Sequence, residues 1–156
     1  MKTPVYIHYG STVYDPKRGF PIRNEEYWVK PKGGLWASRK DASWGWKDWC
    51  EAEAFRDCVE TDAFEFVLCD GANVAIINTF KSLHALPEMP KGRFSSMSYI
   101  IDFEECFRQG YDAVELCWYG EEYHRNRKDD LYFNLYGWDC DSIVILNPDI
   151  VVPINK

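Results

Sequence analysis

Residues 63–78 read AFEFVLCDGANVAIIN and contain two short apolar runs, Ala63–Cys69 and Asn73–Asn78, on either side of Asp70-Gly71. Runs of this length that are rich in Val, Ile and Phe and are separated by a turn dipeptide predict two β-strands. The connection between them is too short to hold a helical crossover, so they do not form a βαβ unit. This stretch therefore favours an α+β fold over a doubly wound parallel sheet.

The same kind of pattern continues outward in both directions along the chain. It predicts further strands at Pro4–Gly10, Leu35–Ser38, Tyr111–Cys117, Leu131–Tyr136, Ser142–Leu146 and Ile150–Ile154. Helices are predicted at Lys47–Val59, at a short segment capped by Thr79, and from an Asp102 cap through Arg108 to a stop at Gly110. Because strands outnumber helices and no boundary divides the chain, we expect one α+β domain over residues 1–156 with a mixed, mostly antiparallel sheet.

Composition and charge limit the classes of partner. The 156 residues carry 18 basic and 25 acidic side chains, a net charge of −7, which disfavours general binding to duplex DNA or RNA. No aliphatic run approaches the roughly 20 residues of a membrane span, and the first residues do not have the pattern of a secretory signal. We therefore expect a cytoplasmic protein that does not cross a membrane.

The cysteines and histidines give no metal signature. The six cysteines form no C-x-x-C pair, and the three histidines do not fall at metal-ligand spacing with a cysteine. We expect reduced thiols that are mostly buried, and no structural metal.

Aromatic residues make up 17% of the chain, and several tryptophans are close together in sequence, at positions 28, 36, 44, 46 and 49. A group of large flat side chains in an acidic protein suits a flat, cationic ligand. The alternative is a small tryptophan-rich core.

Polar residues stand at the ends of the predicted strands. The segments are His8-Tyr9-Gly10-Ser11, Trp36-Ala37-Ser38 and Asp139-Cys140-Asp141-Ser142, and Glu115 is expected to point inward from its strand. Gly10 allows a ligand to approach the backbone, and His8 and Ser11 offer hydrogen bonds to a sugar hydroxyl. Each residue also has a structural explanation: a buried strand histidine, a core tryptophan, or aspartates that end a hairpin.

Taken in order, these segments resemble the ADP-ribosyltransferase superfamily, in particular its small bacterial and phage members of toxin-like or effector-like type. The resemblance is carried by residues 6–11 (YIHYGS), 34–38 (GLWAS), 110–114 (GYDAV) and 141–148 (DSIVILNP).

The resemblance implies a split NAD-binding α+β core in which two sheets hold the dinucleotide. His8 would hold the nicotinamide-side ribose, with Tyr9 as the alternative at that position, and Gly10 and Ser11 would approach the nicotinamide amide. Trp36, together with Trp44 or Trp46, would stack on the nicotinamide, and Ser38 would offer a hydroxyl beside them.

The resemblance also implies a catalytic acid at the last strand, where the family usually has Glu. The strict register places Ser142 at this position, and an offset of one residue gives Asp141, which would bond the ribose 2′-hydroxyl. Asp139 and Glu115 are the other carboxylates that could serve.

The leading hypothesis is therefore an NAD-dependent ADP-ribosyltransferase that cleaves the nicotinamide–ribose bond and transfers ADP-ribose to a protein or nucleic-acid acceptor. The alternatives are an NAD glycohydrolase and a catalytically inactive binding or inhibitor protein on the same fold. The enzymatic hypotheses require His8 and an acid near the last strand to meet across a cleft that is wide enough for a dinucleotide.

Overall fold

The computed structural model describes residues 2–25, 29–90, 99–120, 131, 134–135 and 137–155. Within them lies a seven-stranded sheet of order β4-β5-β6-β2-β1-β3-β7. Its strands are β1 Tyr6–Tyr9, β2 Leu35–Arg39, β3 Ala63–Leu68, β4 Val74–Ile77, β5 Ala113–Leu116, β6 Ser142–Ile145 and β7 Val151–Pro153. Only β4 and β5 pair in parallel among these strands. The predicted α+β class with a mixed, mostly antiparallel sheet is confirmed.

Among the described residues, three short helices with defined bounds accompany the sheet: α1 Trp46–Ala52, α2 Phe80–His84 and α3 Phe103–Arg108. In the same part of the chain, 3-10 turns cover Glu60–Asp62 and Pro148–Ile150. The predicted caps are confirmed, because the Thr79 side chain accepts from the Ser82 N–H and the Asp102 side chain accepts from the Glu105 N–H. No helix of the described residues is long and apolar enough to span a membrane.

Helix α1 is shorter than the predicted Lys47–Val59 because a local backbone motif ends it. Ala54 has a φ of +48°, the Ala54 N–H lies 3.4 Å from the Glu51 carbonyl, and the Phe55 N–H donates to the Cys50 carbonyl at 3.0 Å. This is a Schellman motif with alanine at the left-handed position that glycine usually takes. The chain that follows is exposed and non-helical as far as the turn at Glu60.

The predicted strand Leu131–Tyr136 is wrong for its described residues. The Leu135 N–H donates to the Leu131 carbonyl at 2.7 Å, which is the i to i−4 bond of a helix. Leu131 and Leu135 are both buried and lie four residues apart, which is about one helical turn. Their burial therefore fits the spacing of a helix better than the alternation of a strand. Tyr136 lies outside the described residues.

The central strands β5 and β6 are buried along their whole length, because both faces of the sheet are covered. Val114, Leu116 and Val144 belong to one core cluster, and Ala113, Ile143 and Ile145 belong to the other. Successive residues of a strand point to opposite faces, so this alternation also decides which polar residues share a face.

The sheet forks between β1 and β2. Their ladder joins Tyr6 with Arg39 and Ile7 with Ser38, while the first three residues of β2 pair instead with β6. If the ladder continued in the same register, His8 would lie opposite Ala37 and Tyr9 opposite Trp36, but the two strands do not pair at these described residues. Beyond Ile7 the two strands therefore leave an opening.

A tight turn brings the chain into β2 beside this opening. Gly33 and Gly34 have φ values of +85° and +77°, and the Gly34 N–H donates to the Gly19 carbonyl at 2.7 Å. A Cβ at Gly33 would collide with the backbone of Gly19, so the turn needs glycine for space as well as for conformation.

Candidate functional site

Two clefts lie at the fork. The first, which we call the indole cleft, has a volume of about 310 Å³ and is lined by Ile7, His8, Tyr9, Lys30, Trp36, Ala37, Trp46, Arg56, Trp138, Asp139, Cys140 and Ser142. The second, the loop cleft, has a volume of about 510 Å³, and its lining includes residues 8–11, 13–15, 18–20, 34, 35, 56 and 64. His8, Tyr9 and Arg56 line both clefts, so the two adjoin at these residues.

His8 is fixed in orientation by the backbone of the neighbouring strand. Its Nδ1 lies 2.6 Å from the carbonyl oxygen of Trp36, and a carbonyl can only accept, so Nδ1 carries the proton. Burial lowers the pKa of His8, which keeps the ring neutral at pH 7. The remaining nitrogen, Nε2, is then an acceptor for a ligand hydroxyl or a base for a proton.

Aromatic rings form much of the wall of the indole cleft. Trp36 packs edge-on against the buried Trp138 with ring centroids 5.2 Å apart, and Trp46 stacks on Trp49 at 5.3 Å. The ammonium group of Lys30 lies 5.5 Å from the centroid of the Trp36 ring, so a cation already occupies one side of this indole.

The indole cleft also holds one carboxylate and two cations. Burial lowers the pKa of Lys30, and the charge of Asp139 opposes this effect. The Asp139 side chain accepts no hydrogen bond from the described residues, while its carbonyl accepts from Trp44 Nε1 at 3.0 Å. No group in the described part of the chain thus occupies either carboxylate oxygen by a hydrogen bond, and the backbone beside them is held in place.

Gly10 and Ser11 lie in the loop cleft, where the Gly10 N–H and the Ser11 hydroxyl are already engaged by protein groups. The Gly10 N–H donates to the Asp62 carbonyl at 2.8 Å. The Ser11 hydroxyl donates to the carbonyl of Val13 and accepts from its N–H. Gly10 has a φ of +107°, a backbone conformation that residues with a Cβ rarely adopt, so the position favours glycine.

Ser38 does not line either cleft. Its hydroxyl donates to the Asp141 carbonyl at 2.8 Å and accepts from the Trp46 N–H at 2.9 Å. The residue is buried and joins β2 to the start of α1 and to the segment before β6. Ser38 thus positions Trp46, and the expectation that it contacts the cofactor directly finds no support in its surroundings.

The expectation that His8 and Asp141 line one cleft is not met. Asp141 lines a third cleft of about 250 Å³, together with Arg39, Asp41, Ala42, Ser43, Glu115, Leu116, Cys117 and Gly120, and this cleft shares no lining residue with the other two. The alternation of side chains along a strand explains why Asp141 lies in a different cleft. Ser142, the first residue of β6, faces the indole cleft, so the side chain of the preceding residue, Asp141, points to the opposite side of the sheet.

Asp141 organises the chain after β5. Its Oδ1 accepts from the backbone N–H groups of Trp118 and Tyr119 at 2.8 Å each, and its Oδ2 accepts from Gly120 at 2.9 Å. Burial raises the pKa of Asp141, and these three donors act in the opposite direction. With both oxygens occupied, the carboxylate holds a loop and has little capacity left for a ribose hydroxyl.

Glu115 is inward-pointing, as predicted, but it is satisfied by protein groups. Arg39 donates to its two oxygens at 2.7 and 2.8 Å, and the Tyr6 hydroxyl donates to Oε1 at 3.2 Å. Burial, together with the charge of Glu115, raises the pKa of Tyr6. The Glu115 side chain is 3% exposed and Arg39 is partly exposed, so this half-buried ion pair is a structural link between β1, β2 and β5.

Ser142, which the strict register of the resemblance places at the position of the acid, lines the indole cleft. Its hydroxyl accepts from Trp138 Nε1 at 2.7 Å and donates to the Cys140 carbonyl at 3.2 Å. Asp139, named among the open alternatives, is the acid that shares a cleft with His8 and Trp36. Tyr9 and Trp46 also line this cleft, as expected.

Four cleft residues had no signal in the sequence: Arg18, Lys30, Arg56 and Trp138. Arg56 fell inside the predicted helix Lys47–Val59, where its exposure to the cleft could not be foreseen. Trp138 followed a segment that was assigned to a strand. An isolated basic residue in a loop, such as Arg18 or Lys30, carries no local pattern.

Among the described residues, no three His, Cys, Asp or Glu side chains converge as a metal site requires, and the six cysteines are free thiols. The chain matches no protein-family model, and no curated protein or solved structure is significantly similar to it. Its function is therefore argued from the site.

Proposed function

We propose that this chain is an NAD-dependent ADP-ribosyltransferase whose dinucleotide lies across the indole cleft and the loop cleft. One observation carries the proposal: His8, Trp36 and Asp139, which come from distant parts of the sequence, line a single cleft at the fork of the sheet. An acceptor for a sugar hydroxyl, an aromatic face and an available carboxylate are the groups that glycosidic cleavage of NAD needs.

The size and arrangement of the clefts suit a ligand with two linked halves. Each volume lies in the range of about 300–1,000 Å³ that small-molecule sites occupy, and the two clefts meet at His8, Tyr9 and Arg56. Arg56 is exposed at this junction, and its guanidinium suits a pyrophosphate. Arg18 in the loop cleft adds a second cation on the same path.

The indole cleft suits the nicotinamide half. The pyridinium ring is flat and positively charged, and Trp46 and the side of Trp36 that Lys30 leaves open offer aromatic faces that attract such a ring. The loop cleft, which is lined by Tyr14, Phe20 and Phe64, suits the adenosine half by stacking and apolar contact.

The chemistry assigned to this site is cleavage of the bond between C1′ of the ribose and the nicotinamide nitrogen. The bonding electron pair leaves with the nicotinamide, and an oxocarbenium ion develops at the ribose. Asp139 stabilises this charge more in the transition state than in the ground state. The acceptor nucleophile then bonds to C1′ and releases its proton to solvent, while His8 Nε2 holds a ribose hydroxyl.

The proposal extends to the fold. We assign the opening between β1 and β2 to the split of an ADP-ribosyltransferase core, with the β4-β5-β6 strands on one side and the β1-β3-β7 strands on the other. On this assignment β2 joins the two halves. The toxin-like or effector-like class and a cytoplasmic location are part of the same proposal.

The experiment is direct. Purified protein is titrated with NAD by calorimetry and is then incubated with NAD, with and without a cell lysate, while free nicotinamide, free ADP-ribose and ADP-ribose adducts are measured. Adducts that require the lysate support the transferase, and free ADP-ribose without adducts supports the glycohydrolase alternative. Absence of NAD binding at millimolar concentration would end both enzymatic proposals.

A further inference from the structure

An aromatic cluster extends from the indole cleft to the surface. We call Trp46, Trp49 and Phe55 the aromatic platform. Their ring centroids are 5.3 Å apart for Trp46–Trp49, 5.8 Å for Trp46–Phe55 and 5.2 Å for Trp49–Phe55. Phe55 is 60% exposed, although a side chain of this size usually gains from burial. Because Trp46 also lines the indole cleft, the platform begins inside the cleft and ends in solvent.

The backbone holds the platform in place. Ala54 takes the left-handed conformation that ends α1, and the next residue, Phe55, packs back against Trp49, which is the hydrophobic contact that accompanies a Schellman motif. A non-glycine residue at positive φ costs energy and persists only where its surroundings fix it. The backbone motif and the contact with Trp49 thus place the exposed ring beside the other two rings of the platform.

The charges around the platform are predominantly negative. Residues 46–62 contain six acidic and two basic side chains, and Glu51, Glu53, Asp57, Glu60 and Asp62 are exposed. Such a surface repels the phosphates of nucleic acids and of lipid headgroups and attracts cationic groups. Aromatic faces flanked by carboxylates match the guanidinium of arginine, which stacks on rings and bonds to carboxylates at the same time.

We propose that the aromatic platform binds an arginine-containing basic segment of another protein. This inference goes beyond the NAD chemistry and does not require it. If both hold, the bound segment lies beside the indole cleft, where it would present its side chains to the reacting ribose.

The binding test uses the whole chain without NAD. A short peptide of alternating arginine and serine is titrated by calorimetry and by tryptophan fluorescence, in parallel with the matching lysine–serine peptide and a single-stranded DNA oligonucleotide. We expect the arginine peptide to bind, the lysine peptide to bind more weakly and the DNA not to bind. Equal affinity for the two peptides, tighter binding of DNA, or no binding of the arginine peptide would each overturn the proposal.

Variants locate the binding surface. Phe55→Ala and the double variant Glu51→Lys/Glu53→Lys should each weaken arginine-peptide binding by about tenfold, which is the order expected for loss of a ring or of a charge pair from the contact. Phe107→Ala, at an exposed phenylalanine of α3, and Asp70→Lys, in the loop after β3, are the matched controls and should bind as the wild type does. If the controls weaken binding equally, or Phe55→Ala has no effect, the site is wrong. The peptide titration contains no NAD, so a failure of the peptide to bind would not bear on the nicotinamide-release experiment. A failure to release nicotinamide would likewise not bear on peptide binding.

Discussion

The Nδ1 atom of His8 donates to the carbonyl oxygen of Trp36 at 2.6 Å, at the point where pairing between β1 and β2 stops. The side chain replaces a ladder hydrogen bond and closes the base of the fork. It thereby fixes both the ring orientation and the position of the nitrogen that is left for a ligand.

The substitution His8→Asn separates the structural role of Nδ1 from the ligand-binding role proposed for Nε2. The Asn amide nitrogen can occupy the place of Nδ1, but nothing replaces Nε2. We expect His8→Asn to unfold in urea at nearly the wild-type midpoint and to bind NAD roughly tenfold more weakly, which corresponds to one lost hydrogen bond in a closed site. His84→Asn, in α2, is the control and should change neither quantity.

The stability of the protein should depend on the protonation of His8. Because burial lowers the folded-state pKa below the ordinary 6.5, the unfolded chain takes up a proton first as the pH falls. The contribution of neutral His8 is complete above pH 6.5 and is lost as the pH drops through the folded pKa. Urea unfolding at a series of pH values should show this loss in the wild type and not in His8→Asn. Parallel curves for the two proteins would contradict the assignment.

The two aspartates before β6 should give opposite results. Asp139→Asn should leave stability unchanged and abolish nicotinamide release, because Asp139 is the carboxylate in the indole cleft. Asp141→Asn should cost about 2–3 kcal/mol of unfolding free energy, because its amide nitrogen would face a backbone donor, and NAD binding should persist. Both variants are measured for nicotinamide release and for unfolding free energy. If Asp141→Asn abolished release and Asp139→Asn lowered stability, Asp141 and not Asp139 would be the catalytic acid.

Glu115 should be a stability residue. Glu115→Gln leaves Arg39 and Tyr6 facing a neutral amide in a buried position, and we expect a loss of about 2–4 kcal/mol, moderated by the partial exposure of Arg39. The comparison is Glu105→Gln, which breaks the surface pair with Arg108 and should have no measurable effect. Equal midpoints for the two variants in urea would exclude the structural role.

Ala54→Gly should stabilise the protein. Glycine relieves the left-handed strain at the end of α1 by about 1 kcal/mol, since no Cβ opposes a φ of +48°. Thermal unfolding should shift upward by a few degrees. Ala52→Gly, inside the same helix, should shift it downward.

The sequence was sufficient for the elements whose signals are local. The Thr79 and Asp102 caps and all seven strands of the sheet follow from residue type and alternation, and the predicted strand boundaries agree with the structure to within two residues. Local signals fail at Ala54, where an unusual residue ends a helix, and at Leu131–Leu135, where a short apolar run fits either a helix or a strand.

The membership of the clefts could be predicted only in part. His8, Tyr9, Trp36 and Trp46 were identified by the segments they occupy. The choice between Asp139 and Asp141 was out of reach, because two residues in one short segment can face different clefts when the pleat and the turn before the strand are unknown. Whether Arg56 reaches the cleft depends on where α1 ends, and the φ of a single residue, Ala54, decides that.

Strand β2 pairs with β6 through its first three residues and with β1 through its last two. Among the described strands it is the joint between two half-sheets, and it carries Trp36 to the indole cleft and Arg39 to the half-buried ion pair with Glu115. A shift of β2 by one residue would remove both from their places at once. The ion pair therefore helps to set the register of β2, and a mutation that weakens it would change the shape of the indole cleft although no residue that lines the cleft had been replaced.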